Sequence, residues 1–175
     1  DLSDFLSQFA YKQPIFKSGT NVRYNNCAFV LLGLAIEKIT GRDYRKFVTD
    51  NIFVPCGMVN TKFCAMDEVN ANMAEGYVGL YDKNKDHIKW RKNIYSYPPI
   101  GSPDSGAYTT VIDLDIFIRN LKSNRVLNSE YTNMLFSPHC KFASPFNCGE
   151  PSVNATIRKG YAFEFVKING NIFCM

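Results

Sequence analysis

The stretch SGTNVRYNNCAFVLLGLAIEKITGRDYRKFVTDNIFVPCGMVNT, residues 18–61, decides how this chain is read. A turn signal at Gly19 leads to two polar side chains, Tyr24 and Asn26, set immediately before an apolar run. From Cys27 to Thr40 that run leaves almost no polar face until Glu37 and Lys38, and a helix apolar nearly all round belongs in the middle of a bundle. Gly41 is placed to stop it. Asp43 is placed to cap a further helix, on which Tyr44, Phe47 and Val48 share a face, and Pro55-Cys56-Gly57-Met58 is placed to turn the chain. A polar pair held at the mouth of a buried helix is a position for side chains that must not move.

Working outward, Leu2, Phe5, Leu6 and Phe9 recur at helical spacing and predict a short amphipathic helix at the start. Tyr77, Val78, Leu80 and Tyr81, a polar turn over 82–86, then Ile88 and Trp90 predict a β-hairpin. A Pro- and Gly-rich loop over 98–106 leads into another helix. There Thr110 and Asp113 resemble a capping box, ahead of a stripe of Val111, Leu114, Phe117, Ile118 and Leu121. A shorter helix starts near Ser129 and ends before Pro138. Periodicity is lost from Ser137 to Lys159, which predicts a loop. Tyr161, Phe163, Phe165 and Val166 then lead to Asn169-Gly170, a strong hairpin signal.

The expected class is α+β. It comprises a helical part over 1–74, a hairpin over 75–92, loop and helices over 93–136, a loop over 137–160, and a strand pair over 161–175. That last pair exposes backbone edges unless a larger sheet receives it, so two strands of a truncated sheet are expected.

Composition narrows the function classes. With 175 residues, 14 Phe and 10 Tyr, the chain can bury a real core. The net charge of +4 is too mild to imply a polyanion, and the basic cluster Lys83, Lys85, Lys89, Arg91 and Lys92 is interleaved with Asp82 and Asp86. A solvated hairpin is expected there, not a nucleic-acid contact. No apolar run approaches the roughly 20 residues of a membrane span. The six cysteines, at 27, 56, 64, 140, 148 and 174, include no Cys-x-x-Cys, and His87 and His139 lie far apart, so no zinc pattern emerges. Unpatterned thiols lean toward a reducing compartment, although the 56–64 and 140–148 spacings could close loops. No phosphate loop or dinucleotide fingerprint is present, and no cofactor is expected.

The run from Lys17 to Phe63 resembles the Pro-Gly, Tyr-Ser-Asn, Leu-Gly-Ile-Ile-Glu-Lys-Thr-Gly and Pro-Leu-Gly-Met-Thr series of the penicillin-recognising serine hydrolases. Class C β-lactamases, DD-peptidases and related esterases belong to that group. GSPDSGAYTTVIDLDIFIRNL, residues 101–121, resembles their Gly-Gly-Leu-Tyr-Ser-Thr segment. The resemblance implies a β-lactamase/transpeptidase-like fold, with Tyr24 and Asn26 as catalytic residues of the second of three motifs. It also implies a small-molecule or peptidoglycan-like substrate and a cell-envelope or extracellular setting. The first motif, Ser-x-x-Lys, occurs nowhere in these residues, and neither does His-x-Gly or Lys-Thr-Gly. The expectation is therefore a piece of such a hydrolase, inert alone, with its nucleophile elsewhere.

Acyl transfer by a serine needs an activated hydroxyl, an oxyanion hole and a proton route to the leaving group. On the resemblance, Tyr24 would relay that proton beside a cationic lysine, and Asn26 would orient the lysine and grip a substrate amide. Taken alone, Tyr-x-Asn is weak: Tyr131-Thr132-Asn133 is a second match, and a packed ring with an N-cap is the plain alternative. His139 and Ser105 are expected as loop and turn residues. Two other readings stay open: a non-catalytic penicillin-binding-like module for sensing or wall attachment, and an unrelated helical scaffold. The last would be favoured by Tyr24 and Asn26 being buried and self-satisfied.

Overall fold

Asn25 adopts extended backbone and its Oδ1 accepts from the Cys27 amide at 2.9 Å, which starts helix α1 (Asn26–Thr40). Gly41, at φ +66°, stops it in the left-handed conformation that glycine adopts without strain. Asp43 then caps α2 (Tyr44–Val48), its Oδ1 accepting from the Lys46 amide at 2.9 Å. The helical path continues through a wider π-type turn, Thr49–Phe53, into the short α3 (Val54–Cys56). Pro55 accounts for the widening, since it has no N–H to donate back and its ring crowds the preceding turn. Gly57, at φ +78°, ends the path as expected.

The computed structural model describes residues 1–94, 99–141, 155–168 and 171–174. They fall into two units. The first holds Asp1–Gln13 and Asn25–Phe117, the second Pro14–Tyr24 and Ile118–Met175. In the first unit a 3-10 helix, Leu2–Gln8, opens the chain and buries Leu2. The sequence predicted a helix there, and the segment forms one in the tighter i+3 ladder. Strands β1 (Tyr77–Tyr81) and β2 (His87–Lys92) pair antiparallel, with an irregularity between Leu80 and Tyr81, and give the expected hairpin.

The loop after Pro99 is clamped onto this unit. Ser102 and Ser105 exchange backbone hydrogen bonds of 2.7 and 3.0 Å, closing a turn around Pro103-Asp104. Gly101 and Gly106 cross so closely that a Cβ on Gly101 would lie 2.5 Å from the Gly106 carbonyl oxygen. Arg45 Nε donates to the Gly101 carbonyl at 2.6 Å. Pro103 seats on α1 at Gly33, where a Cβ would lie 2.0 Å from its ring.

Helix α4 (Val111–Lys122) starts in the first unit. Half of the expected capping box forms, the Asp113 amide donating to Thr110 Oγ1 at 3.1 Å. The other half does not. The Asp113 carboxylate instead reaches the Met58–Thr61 turn, where Oδ2 accepts from the Asn60 amide at 2.8 Å and Thr61 Oγ1 at 2.7 Å. Thr61 Oγ1 also lies 2.7 Å from Thr109 Oγ1. Asp113 is 1% exposed, and among the described residues its Oδ1 has no hydrogen-bond partner.

In the second unit α5 (Ser129–Leu135) is capped by Asn128, and its buried Thr132 donates to the Leu121 carbonyl at 3.4 Å. A four-stranded antiparallel sheet follows in the order β3 (Cys140–Lys141), β4 (Ala155–Lys159), β5 (Glu164–Ile168), β6 (Asn171–Cys174). Two of these strands lie in the segment predicted as loop over 137–160. Both are short, and β4 reads Ala-Thr-Ile-Arg-Lys, too brief an alternation to stand out. Tyr161 and Ala162 precede β5 in a bend with Ala162 at φ +63°, so the strand starts at Glu164. The predicted turn at Asn169-Gly170 and the Pro98 end of the long loop lie outside the described residues.

One expectation about α1 is corrected. The sequence placed it at the centre of a bundle, yet only Val30 and Gly33 are buried. Leu2 and Pro103 meet one side, while Leu31, Leu32 at 61% exposure and Ile39 face water on the other. Apolar composition reports what a helix can bury, not how much of it is covered.

Candidate functional site

The approach to α1 is set by a turn. The Thr20 amide and Oγ1 both donate to the Lys17 carbonyl, at 3.1 and 2.6 Å, and Gly19 takes φ +79°. Lys17-Ser18-Gly19 is the nearest approach in composition to the third motif, but it forms this turn and not a strand. Asn21 Oδ1 then accepts from the Val22 amide at 2.8 Å, and the chain runs extended to Tyr24.

Tyr24 is 63% exposed, and among the described residues its phenol has no hydrogen bond. Asn26 is the first residue of α1, also exposed, and its side-chain amide bonds to no described residue. The residue between them does the capping. Asn25 takes the extended backbone that an N-cap requires and satisfies the Cys27 amide. Sequence reasoning weighed Asn26 as the cap and did not single out Asn25; adjacent asparagines look alike until backbone geometry distinguishes them. Asn26 therefore sits in the first turn of a capped helix, where unpaired amides carry partial positive charge, and Tyr24 precedes it by two positions in the chain.

The competing candidates are engaged otherwise. Tyr131 and Asn133 lie inside α5, not at a helix mouth, and Thr132 between them is buried. His139 Nε2 lies 2.7 Å from the Met134 carbonyl, and the His139 ring packs 4.3 Å from Tyr161. Ser105 closes the turn around Pro103-Asp104, as expected. The His87 ring meets Tyr81 edge-on and Trp90 at a tilt on the hairpin, at 5.5 and 4.8 Å.

A cavity of about 200 Å³ in the first unit is lined by Cys64, Met66, Ile100, Ser105 and Tyr108. A wider cleft of about 310 Å³ shares Met66, Asn93 and Tyr108 with it and carries Glu75 and Lys92. Hydrogen bonds from Lys92 and Tyr77, with the lysine's charge, hold the Glu75 carboxyl below its ordinary range. Burial pushes the Tyr44 phenol up, against the nearby Arg45 charge and with that of Asp104. Among the described residues no three His, Cys, Asp or Glu side chains are grouped to hold a metal, and no helix is long and apolar enough to cross a membrane.

A family model described as Beta-lactamase matches residues 1–165. Beta-lactamase-like protein 2 of Dictyostelium discoideum is 28% identical over 140 residues, covering 76% of this chain and 23% of that protein. A penicillin binding protein from Bacillus halodurans superposes with a TM-score of 0.82 at 32% identity, covering 98% of this chain and 48% of that one. A D-stereospecific amidohydrolase from Streptomyces shares the fold, with a TM-score of 0.73 at 21% identity over 99% of this chain and 48% of its own. The chain thus spans about a quarter of the length of the first relative and about half of each of these two structures.

Proposed function

The chain belongs to the beta-lactamase family, and on that premise we propose that it forms part of a serine hydrolase that cleaves a small amide or ester through an acyl-enzyme. β-Lactams, D-Ala-D-Ala peptides and small esters are the substrates of choice. The nucleophile and its lysine lie outside these 175 residues, because no Ser-x-x-Lys occurs among them. Tyr24 relays the proton between the attacking serine and the leaving group, assisted by that lysine. Asn26 holds the lysine and grips the substrate amide, using the donor and acceptor capacity of its side chain.

One observation carries this reading: Asn25 caps α1, which leaves the neighbouring Tyr24 and Asn26 side chains exposed and unbonded among the described residues. A structural tyrosine would be packed, and a structural asparagine would be capping. The alternative is a ligand-sensing module of the same fold without turnover, favoured by the missing first motif.

The test compares this chain with the full-length protein, each incubated with a fluorescent penicillin and inspected by mass spectrometry. The full-length protein should be acylated on a serine outside these residues, and the 175-residue chain should stay unmodified. A stoichiometric adduct on a serine within the 175 residues would overturn the assignment. An unreactive full-length protein would support the sensing module.

A further inference from the structure

The second unit contains a cleft that plays no part in the proposed hydrolysis. Helices α4 and α5 form one side and strands β5 and β6 the other, around a volume of about 440 Å³. That lies within the range that holds small organic ligands. Phe165, 5% exposed, and Phe136 give it apolar walls, Phe136 being braced by the Phe163 ring at 5.2 Å. Ile172 and Cys174, on the outermost strand, stand at the opening.

The charge in this cleft is one-sided. Among the described residues Lys122, the last residue of α4, is the one cation that lines it, and none of them brings a carboxylate to it. The Lys122 ammonium stands 5.7 Å above the centre of the Phe136 ring and forms no ion pair among the described residues. Asn133 adds an amide to the lining. The Cys174 thiol does not supply the missing anion: partial burial pushes it up, outweighing the opposing pull of Lys122, and it stays protonated at neutral pH. An ammonium over an aromatic wall, beside an apolar recess and with no counter-charge among the described residues, is complementary to an anion with an apolar tail.

We propose that this cleft binds a small apolar carboxylate, with Lys122 and Asn133 taking the carboxylate and Phe136, Phe165 and Ile172 enclosing the tail. The ammonium supplies the charge-assisted hydrogen bond, and the two phenylalanines supply the apolar burial. An aryl-alkanoic acid combines the anion and the ring that this arrangement of a cation and phenylalanines calls for.

The test titrates the 175-residue chain with 4-phenylbutyrate and, separately, with its neutral amide, by ligand-observed NMR. In parallel, alkylation of Cys174 by iodoacetamide is followed by mass spectrometry. The acid should bind saturably and slow Cys174 alkylation while leaving Cys27 unchanged. The amide should bind at least about tenfold more weakly, the worth of a hydrogen bond to a charged group. Lys122→Met should remove that preference and Lys122→Arg should keep it. Ile172→Glu, at a water-facing strand position, should weaken the acid by a similar factor without altering the circular dichroism spectrum. Equal affinity for acid and amide, an unprotected Cys174, or a Lys122→Met variant that binds like the wild type would each overturn the proposal. So would no saturable binding up to about 10 mM, weaker than a site of this kind should be.

Discussion

Replacing Asp113 by alanine probes the tie between α4 and the Met58–Thr61 turn. The carboxylate is essentially buried, and one oxygen serves two donors, the Asn60 amide at 2.8 Å and the Thr61 hydroxyl at 2.7 Å. Thr61 keeps a partner after the substitution, because Thr109 Oγ1 lies 2.7 Å away. The Asn60 amide has no such reserve. A stranded N–H costs about 1–3 kcal/mol, and losing a charge-assisted bond to the hydroxyl adds about 1 kcal/mol. Asp113→Ala should therefore destabilise by about 2–4 kcal/mol, a large share of the 5–15 kcal/mol of a typical domain. Asp113→Asn keeps an acceptor for both donors and puts its NH₂ where Oδ1 has no partner, so about 1–2 kcal/mol is expected. Urea unfolding followed by far-UV circular dichroism measures both. A loss below about 0.5 kcal/mol in the alanine variant, or equal losses in the two, would refute the reasoning.

Further expectations concern other parts of the molecule. In the full-length protein, Tyr24→Phe should lower kcat about 10²- to 10⁴-fold with little change in melting temperature, and steady-state kinetics beside thermal melts will show whether it does. Gly33→Ala should destabilise by about 1–3 kcal/mol, because its methyl would meet the Pro103 ring, and a shifted urea midpoint will report it. Cys27, Cys64, Cys140 and Cys174 should all alkylate in denaturant without reductant, and protection of two or more would contradict their thiol state. The Glu75–Lys92–Tyr77 tie should give the hairpin a two-sided pH dependence. The lowered Glu75 carboxyl contributes stability above the ordinary glutamate value of about 4.3, and that is lost as pH falls through its depressed value. The raised Lys92 and Tyr77 groups contribute below their ordinary values of about 10, and that is lost as pH rises through the elevated ones. Urea midpoints across the pH range, compared with those of Glu75→Gln, measure both limbs.

The helix ends were the most legible part of the sequence, because caps and stops are local chemistry. Gly41, Asp43 and Gly57 do what their residue types predict, and the hairpin over 77–92 follows from alternation around a polar turn. Long-range partners were not legible. Asp113 looked like the second half of a capping box, and only folding reveals that its carboxylate prefers donors more than fifty positions earlier. β3 escaped notice because two residues carry no period, and β4 because five half-polar residues hardly do. Tyr24 and Asn26 were singled out through neighbouring residues in the right order. Their availability could not be read from residue type, since it depends on Asn25 taking the cap.

The bare side of α1 has a consequence for anyone handling this polypeptide in a tube. Leu31, Leu32 and Ile39 are wetted along one helix, with Phe29 at its shoulder. Keeping such a row in water is unfavourable by about 25 cal/mol for every Å² that a neighbour could cover. Two molecules laying these rows together would relieve it for both, and any such pairing would shift with dilution and concentration. Melting temperatures would then rise with protein concentration, and a value quoted without that concentration would describe the sample more than the fold.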